Sequence, residues 1–179
     1  MEFSETSLKG AYLVRLKKME DDRGYFARAW CCDEFSRQGL NPGMLQLNVG
    51  FSHSRGTVRG MHYQLPPHAE VKFIRCTRGA IYDVIIDLRE GSPTFGQWYG
   101  QELTPDNDLM VYAPEGFAHG YQTLQDNSEM YYFTSAAYAP DAARGVRYDD
   151  PIVGIKWPLP VSLISNADRN WPGLKQANR

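Results

Sequence analysis

The stretch "GTVRGMHYQLPPHAEVKF", residues 56–73, places Arg59, His62, His68 and Lys72 around two adjacent prolines. Cations close to a histidine suit an anionic ligand or a developing oxyanion. The imidazole exchanges a proton near neutral pH, and the cations stabilise negative charge. The same residue types could instead hold a metal ion, or they could form a polar loop without function. Three interpretations therefore start from one short segment.

The chain has four histidines, and their surroundings differ. His62 lies in a predicted strand, and His119 follows a Pro-x-Gly turn in "APEGFAHGYQ". Together they resemble the two-motif pattern of the cupin superfamily, whose members are small jelly-roll β-barrels with a ligand cavity. His53 and His68 flank predicted turns, so we assign them no functional role.

A metal site is the weaker of the two functional interpretations. Metal-binding cupins normally carry two histidines one residue apart, since alternate residues of a strand share a face. The second position here is Gln64, a poor ligand for a transition metal. His62, His119 and Glu70 keep a metal-dependent oxygenase or isomerase open as an alternative. We expect a cavity without a metal or another cofactor.

The elements that position these residues are predicted to be strands. Short apolar or alternating runs recur between Gly, Pro, Asp and Asn, as in "YLVRL", "VKFIRCTRG", "AIYDVIIDLR", "LMVYAPEG" and "EMYYFTSAAY". This rhythm is typical of an all-β jelly-roll barrel or sandwich. Helical periodicity is weak, and "WCCDEFSRQGL", residues 30–40, is the best candidate for one of one or two short helices.

The length of 179 residues predicts a single domain. We expect its β core at about residues 44–139. The tail at about 140–179 is too rich in proline for a central strand, so it should wrap the surface, from which it could deliver a side chain to a cavity mouth.

Composition narrows the possible partners. A net charge of −2 without a sustained basic stripe argues against nucleic acid. No apolar run approaches the length that spans a membrane, and no leader pattern begins the chain, so we expect a soluble, cytoplasmic protein. Cys31, Cys32 and Cys76 lack metal or redox spacing, and we expect reduced, mostly buried thiols.

A series of motifs in order from about residue 21 to residue 168 resembles the dTDP-4-dehydrorhamnose 3,5-epimerase family. The motifs are "DDRGYF", "QLNVGFSHSRGTVRGMHYQLPP", "VKFIRCTRGAIYDVIIDLREGSPTFGQW", "PEGFAHGYQTL", "YAP", "DDPIVGIKWP" and "LISNAD". The resemblance implies a homodimeric jelly-roll cupin that uses no metal. Its substrate would be a nucleotide-linked 4-keto-6-deoxyhexose, inverted at C3 and C5.

The resemblance also implies catalytic roles for four residues. His62 matches the base that removes a proton beside the ketone, and Asp168 matches the carboxylate that orients it. Lys72 matches the lysine that stabilises the enolate oxygen, and Tyr132 matches the acid that reprotonates from the opposite face. A tyrosine in a strand-rich core would otherwise be interpreted as packing.

Further positions match substrate-binding residues of the family. The positions around the sugar and diphosphate are Gln46, Asn48, Arg59, His119 and Tyr138. Within "DxRGxF", Arg23 and Phe26 match residues that reach into the partner subunit's cavity and cover the nucleotide. The segment at about 1–43 is therefore expected to serve dimerisation and nucleotide covering.

The chain departs from the family at three positions. Arg28 stands where a glutamate near the nucleotide base is usual, Phe133 replaces a lysine after the catalytic tyrosine, and Ala167 replaces a lysine before the tail aspartate. A donor in place of an acceptor should alter base recognition. Epimerisation at C3 or C5 alone, another nucleotide, and a sugar-binding module without chemistry therefore remain alternatives.

Overall fold

The computed structural model describes residues 1–177, and short strands make up most of it. The strands are β1 (Glu2–Glu5), β2 (Tyr12–Arg15), β3 (Lys18–Asp21), β4 (Gly24–Ala27), β5 (Gln46–Ser52), β6 (Thr57–Gln64), β7 (Lys72–Arg78), β8 (Ile81–Asp87), β9 (Trp98–Leu103), β10 (Leu109–Ala113), β11 (Phe117–Thr123), β12 (Ser128–Thr134), β13 (Ala143–Gly145) and β14 (Leu163–Ile164). The helices are α1 (Cys32–Arg37), α2 (Asn166–Arg169) and α3 (Leu174–Ala177). The prediction of an all-β fold is confirmed.

Two sheets face each other. The first has the order β1-β2-β10-β7-β12-β5, and the second has the order β13-β6-β11-β8-β9, with β14 added parallel to β6. All other strand pairs are antiparallel, and β3 pairs with β4 as a separate hairpin. This is the cupin-type jelly-roll arrangement, in which the two inner faces enclose a core and a cavity.

Strand alternation fills the space between the sheets. Ile74 and Cys76 on β7, with Met130 on β12, point inward from the first sheet. Ile81 and Ile85 on β8 meet them from the second sheet. All five side chains are at most 1% exposed, so removing one of them should cost about 2–5 kcal/mol.

The segments before and after the central strands cover the outer faces. Phe35 of α1 is fully buried against the first sheet, where its ring meets those of Phe3, Phe73 and Tyr112. The tail covers the second sheet with Val146, Val153 and Leu174, among others. Both sheets therefore extend beyond the expected core of residues 44–139, because β1 and β2 widen the first sheet and β13 and β14 widen the second.

Two smaller expectations can be compared with the structure. The three cysteines are free, but only Cys76 is buried, so the expectation of mostly buried thiols is wrong. Burial raises the pKa of Cys76 to about 11, which makes that thiol unreactive at neutral pH. Within residues 1–177, no helix is long and apolar enough to cross a bilayer.

Candidate active site

A cavity of about 580 Å³ opens between the two sheets. Its walls come from β5, β7 and β12 on one side and from β6 and β13 on the other, with the tail at its mouth. A second space of about 210 Å³ shares His62, Lys72 and Tyr132 with it and continues toward β11. Polar side chains from distant parts of the sequence therefore converge on one enclosed volume.

His62 and Asp168 form a hydrogen-bonded pair at this cavity. The His62 Nε2–H donates to Asp168 Oδ1 at 2.6 Å, across 106 residues of sequence. Asp168 is positioned by the short helix α2, because its backbone N–H donates to the capping Ser165 Oγ at 3.0 Å. The His62 side chain is 46% exposed, whereas that of Asp168 is only 9% exposed. The histidine can therefore meet a ligand while its carboxylate is held.

Several donors keep the Asp168 carboxyl ionised. Burial alone would raise its pKa, but the hydrogen bond and charge of His62 lower it below the ordinary value. The backbone N–H of Gly60 and the indole N–H of Trp171 donate to the same carboxylate, each at 3.3 Å. An ionised carboxylate can orient a neighbouring imidazole and stabilise a positive charge on it.

Lys72 lines the cavity, and its ammonium is paired with the carboxylate of Glu70. Its ammonium donates to Glu70 Oε1, while Gln64 Nε2 donates to Glu70 Oε2 at 3.2 Å. The Gln64 Oε1 in turn accepts the backbone N–H of Ala139 at 2.6 Å. Gln64, which occupies the position of a metal-ligating histidine in metal cupins, thus joins three segments around the cavity.

Tyr132 faces the cavity from β12, on the sheet opposite His62. Burial raises its pKa above the ordinary value, and the negative charge of Glu70 adds to the rise, so its hydroxyl stays protonated at neutral pH. Its neighbours Tyr131 and Phe133 lie on the other face of the strand. Phe133 packs outside the cavity, with its ring centroid 6.1 Å from that of Trp30. Phenylalanine at position 133 therefore removes no charge from the cavity wall.

A second histidine–aspartate pair lies deeper between the sheets. His119 is opposite His62 in the β11–β6 register, and its Nε2–H donates to Asp83 Oδ1 at 2.7 Å. Asp83 is 1% exposed, and burial raises its pKa while His119 opposes the rise. Arg59 lies beside this pair and donates from Nη2 to the carbonyl of Phe51 at 3.0 Å.

The ligands of the alternative metal site are engaged elsewhere. His119 is bound to Asp83, and Glu70 holds both Lys72 and Gln64. Among residues 1–177, no three His, Cys, Asp or Glu side chains are grouped so that they could hold a metal ion.

The structure brings most predicted site residues together and leaves two outside. Those that line the two spaces are Gln46, Asn48, Arg59, His62, Lys72, His119, Tyr132, Tyr138 and Asp168. Arg23 and Phe26 lie on the exposed β3–β4 hairpin, where Arg23 Nη2 donates to Asp21 Oδ2 at 2.5 Å. Arg28 follows that hairpin and lies 3.6 Å from Glu34, whereas Ala167 lines the cavity.

Four residues of the site were missed or misread in the sequence. The sequence suggests Glu70 only as a metal ligand, and no motif indicates Asp83. Trp171 lines the cavity beside His62, with the two ring centroids 6.2 Å apart. Gly145 lies against that tryptophan. The spacing of Glu70 and Lys72, two residues apart, could have signalled a shared face, but the tail residues gave no local signal.

The fold and this arrangement define a cupin-type protein whose cavity combines an accessible histidine, an ammonium and a protonated tyrosine. Such a set can remove a proton beside a carbonyl and stabilise the resulting oxyanion. The model of the dTDP-4-dehydrorhamnose 3,5-epimerase family matches residues 5–176. The chain therefore belongs to this family.

Known proteins resemble the chain over almost its full length. A dTDP-4-dehydrorhamnose 3,5-epimerase of Sinorhizobium fredii strain NGR234 is 40% identical over 175 residues, which cover 97% of this chain and 90% of that protein. The crystal structure of the epimerase of the same name from Elizabethkingia anophelis NUHP1 superposes with a TM-score of 0.96 at 36% identity, covering 100% and 99% of the two chains. ChmJ, a 3'-monoepimerase from Streptomyces bikiniensis solved with dTDP-quinovose, superposes with a TM-score of 0.88 at 35% identity, covering 97% and 88%.

Proposed function

We propose that the protein epimerises a dTDP-linked 4-keto-6-deoxyhexose at the carbons that flank the ketone. The preferred substrate is dTDP-4-dehydro-6-deoxy-D-glucose, which would become dTDP-4-dehydro-L-rhamnose. The carrying observation is the placement of His62 and Tyr132 on opposite sheets at one cavity. A sugar ring held between them would present one face to a base and the other to an acid.

The first step is removal of a proton from C3 or C5. With Nε2–H of His62 donating to Asp168, the lone pair on Nδ1 is the basic site. The electron pair of the broken C–H bond forms the C=C bond of an enolate and places charge on the C4 oxygen. The ammonium of Lys72 stabilises that charge more strongly in the transition state than in the ketone.

The second step is protonation from the opposite face. The enolate carbon takes the hydroxyl proton of Tyr132, and the negative charge passes from the C4 oxygen to the phenolate. The carbon is then inverted, Tyr132 regains a proton from solvent, and His62 releases to solvent the proton that it removed from the sugar. Burial and the charge of Glu70 raise the pKa of Tyr132, so its hydroxyl is protonated before the reaction.

Deuterium exchange tests the two steps separately. In D2O with dTDP-4-keto-6-deoxyglucose, NMR should show deuterium entering C3 and C5. His62→Ala should abolish exchange, and normal exchange in that variant would contradict the mechanism. Tyr132→Phe should still exchange but without inversion. Tyr99→Phe is a matched control, because the Tyr99 hydroxyl donates to Gln101 at 3.1 Å and lines neither space of the site.

Epimerisation at C3 alone is the second candidate function. The likeness to ChmJ favours it, since that neighbour is a 3'-monoepimerase on a similar fold. Single inversion would follow from the pose of the sugar and needs no other residues. Deuterium at only one of the two carbons, with inversion there, would establish this alternative.

A homodimer would complete the nucleotide site. An exposed apolar stripe lies on the first sheet, where Leu45, Leu47 and Val49 are 65%, 52% and 60% exposed. The β3–β4 hairpin pairs only with itself within the described part of the chain, and its Phe26 is 62% exposed. A partner that covers the stripe would allow Arg23 and Phe26 to reach its cavity.

A cytoplasmic location stays a prediction from the sequence.

Complementation tests this arrangement. His62→Ala and Arg23→Ala should each be inactive or weak as pure proteins. When they are mixed and allowed to exchange subunits, about a quarter of the sites should combine an intact His62 with an intact Arg23. Recovered activity supports a shared site. A monomer by light scattering, or no recovery after proven exchange, would contradict it.

A further inference from the structure

Trp171 contacts both members of the histidine–aspartate pair. Its indole N–H donates to Asp168 Oδ1, the same oxygen that accepts from His62. Its ring meets the His62 ring edge to face, at an interplanar angle of 75°. Because the residue follows α2 directly, it lies where the tail meets the cavity mouth.

Gly145 makes room for this ring. It lies directly opposite His62 in the β13–β6 register. A Cβ at position 145 would lie 2.4–2.5 Å from three atoms of the Trp171 ring, closer than real contacts allow. The backbone at Gly145 is not left-handed, so its torsion angles do not call for glycine. The absent side chain thus makes room for the indole.

We propose that Trp171, packed against Gly145, is a positioning residue that fixes the orientation of the His62–Asp168 pair. Asp168 lies on a helix of only four residues, and the backbone N–H of Gly60 donates to its carboxylate at 3.3 Å. A ring packed between β13 and the pair stops the tail from shifting and stops the imidazole from turning. The proposal rests on the proposed function, since it assigns His62 as the base.

The test distinguishes the hydrogen bond of the Trp171 indole N–H from the packing of its ring. Trp171→Phe keeps a ring but loses the N–H, and its kcat for solvent exchange should fall about tenfold while KM stays within about twofold. Trp171→Ala should lower kcat further. Trp157→Phe is the matched control, because Trp157 donates its indole N–H to Tyr148 at 2.8 Å outside the cavity.

A double-mutant cycle tests the contact between Gly145 and Trp171. Gly145→Ala alone should lower kcat by a similar factor, because the new methyl group displaces the ring. In the Trp171→Ala background the same change should have no more than about a twofold effect, since no ring remains to displace. All rates are measured well below the melting midpoint of the least stable variant, with the folded fraction checked by circular dichroism.

The outcomes are distinct. No exchange by the unaltered protein would refute the proposed function itself. Exchange that Trp171→Phe and Trp171→Ala leave within twofold of normal would overturn the positioning role. An equal effect of Gly145→Ala in both backgrounds would show that this glycine serves something other than Trp171.

Discussion

Asp87 offers a test of the electrostatics where β8 meets the loop that follows it. At the end of β8 its carboxylate accepts three N–H groups of Arg89, at 2.8–3.0 Å, and the hydroxyls of Ser92 and Thr94, at 2.5 and 2.6 Å. Asp87 itself is fully buried. Burial alone would raise its pKa, but these donors lower it from 3.8 to about 2. The substitution Asp87→Asn keeps the size of the side chain and removes the charge.

The magnitude follows from linkage. A difference between 3.8 and about 2 in pKa corresponds to about 2 kcal/mol, since one unit is worth about 1.4 kcal/mol. Because the pKa is lower in the folded state, this stability is present above pH 3.8 and is lost as the pH falls through about 2. Asp87→Asn should therefore destabilise the protein by about 2 kcal/mol at pH 7, or about 4–8 °C in Tm. Near pH 3 about half of the gap should remain.

Unfolding in urea, followed by circular dichroism at pH 7 and pH 3, measures the gap in the free energy of unfolding between the unaltered protein and Asp87→Asn. Asp149→Asn is the matched control, because Asp149 also accepts two N–H groups of one arginine, Arg147, both at 3.0 Å, but is exposed to solvent. Its loss should change stability by less than about 1 kcal/mol. A gap for Asp87→Asn that is equal at both pH values would refute the assignment to the carboxylate charge, as would no destabilisation at pH 7.

Three further predictions concern the site. Asp168→Asn keeps a hydrogen-bond acceptor for His62 but loses the charge that stabilises the imidazolium, so kcat for exchange should fall about 10³- to 10⁴-fold, with dTDP affinity by calorimetry little changed. Gly120→Ala would place a methyl group 2.7 Å from the backbone of β6 and should destabilise the fold by about 3 kcal/mol in thermal unfolding. Glu70→Gln removes a charge that raises the pKa of Tyr132, so the alkaline limb of the rate–pH profile should move to lower pH; an unmoved limb would contradict the role of that charge.

Local periodicity was sufficient for the central strands and for one helix. The run at residues 30–40 predicted α1, and Phe35 does bury its ring against the first sheet. The strands β1 and β2 joined the sheet unexpectedly. Val14 of β2 lies opposite Met110, a partner about 100 residues away, and no local pattern in β1 or β2 identifies that neighbour. Long-range pairing is decided by packing, which single-sequence periodicity does not contain.

The site residues divide in the same way, into those that local spacing predicts and those whose position depends on long-range packing. His62 and Lys72 lie ten residues apart on strands joined by one turn, so the sequence alone placed them together. Asp168 is 106 residues from His62 and entered only through the resemblance to a family. Trp171 and Gly145 had no such guide, because their contact depends on how the tail crosses β13. What the sequence could not supply is therefore the path of the tail.

That path also decides which of two similar pairs can act as a base. His62 and His119 are cross-strand neighbours, and each donates to an aspartate at 2.6–2.7 Å. The side chain of His119 is only 8% exposed and its partner Asp83 is fully enclosed, so burial raises the pKa of that carboxyl. The side chain of His62 is 46% exposed, and the donors around Asp168 lower the pKa of its carboxyl. Environments that push two carboxyl pKa values apart assign different tasks to the same residue types. An accessible imidazole with an ionised partner suits proton transfer, whereas an enclosed pair suits a fixed contact to the ligand, and only the fold separates the two.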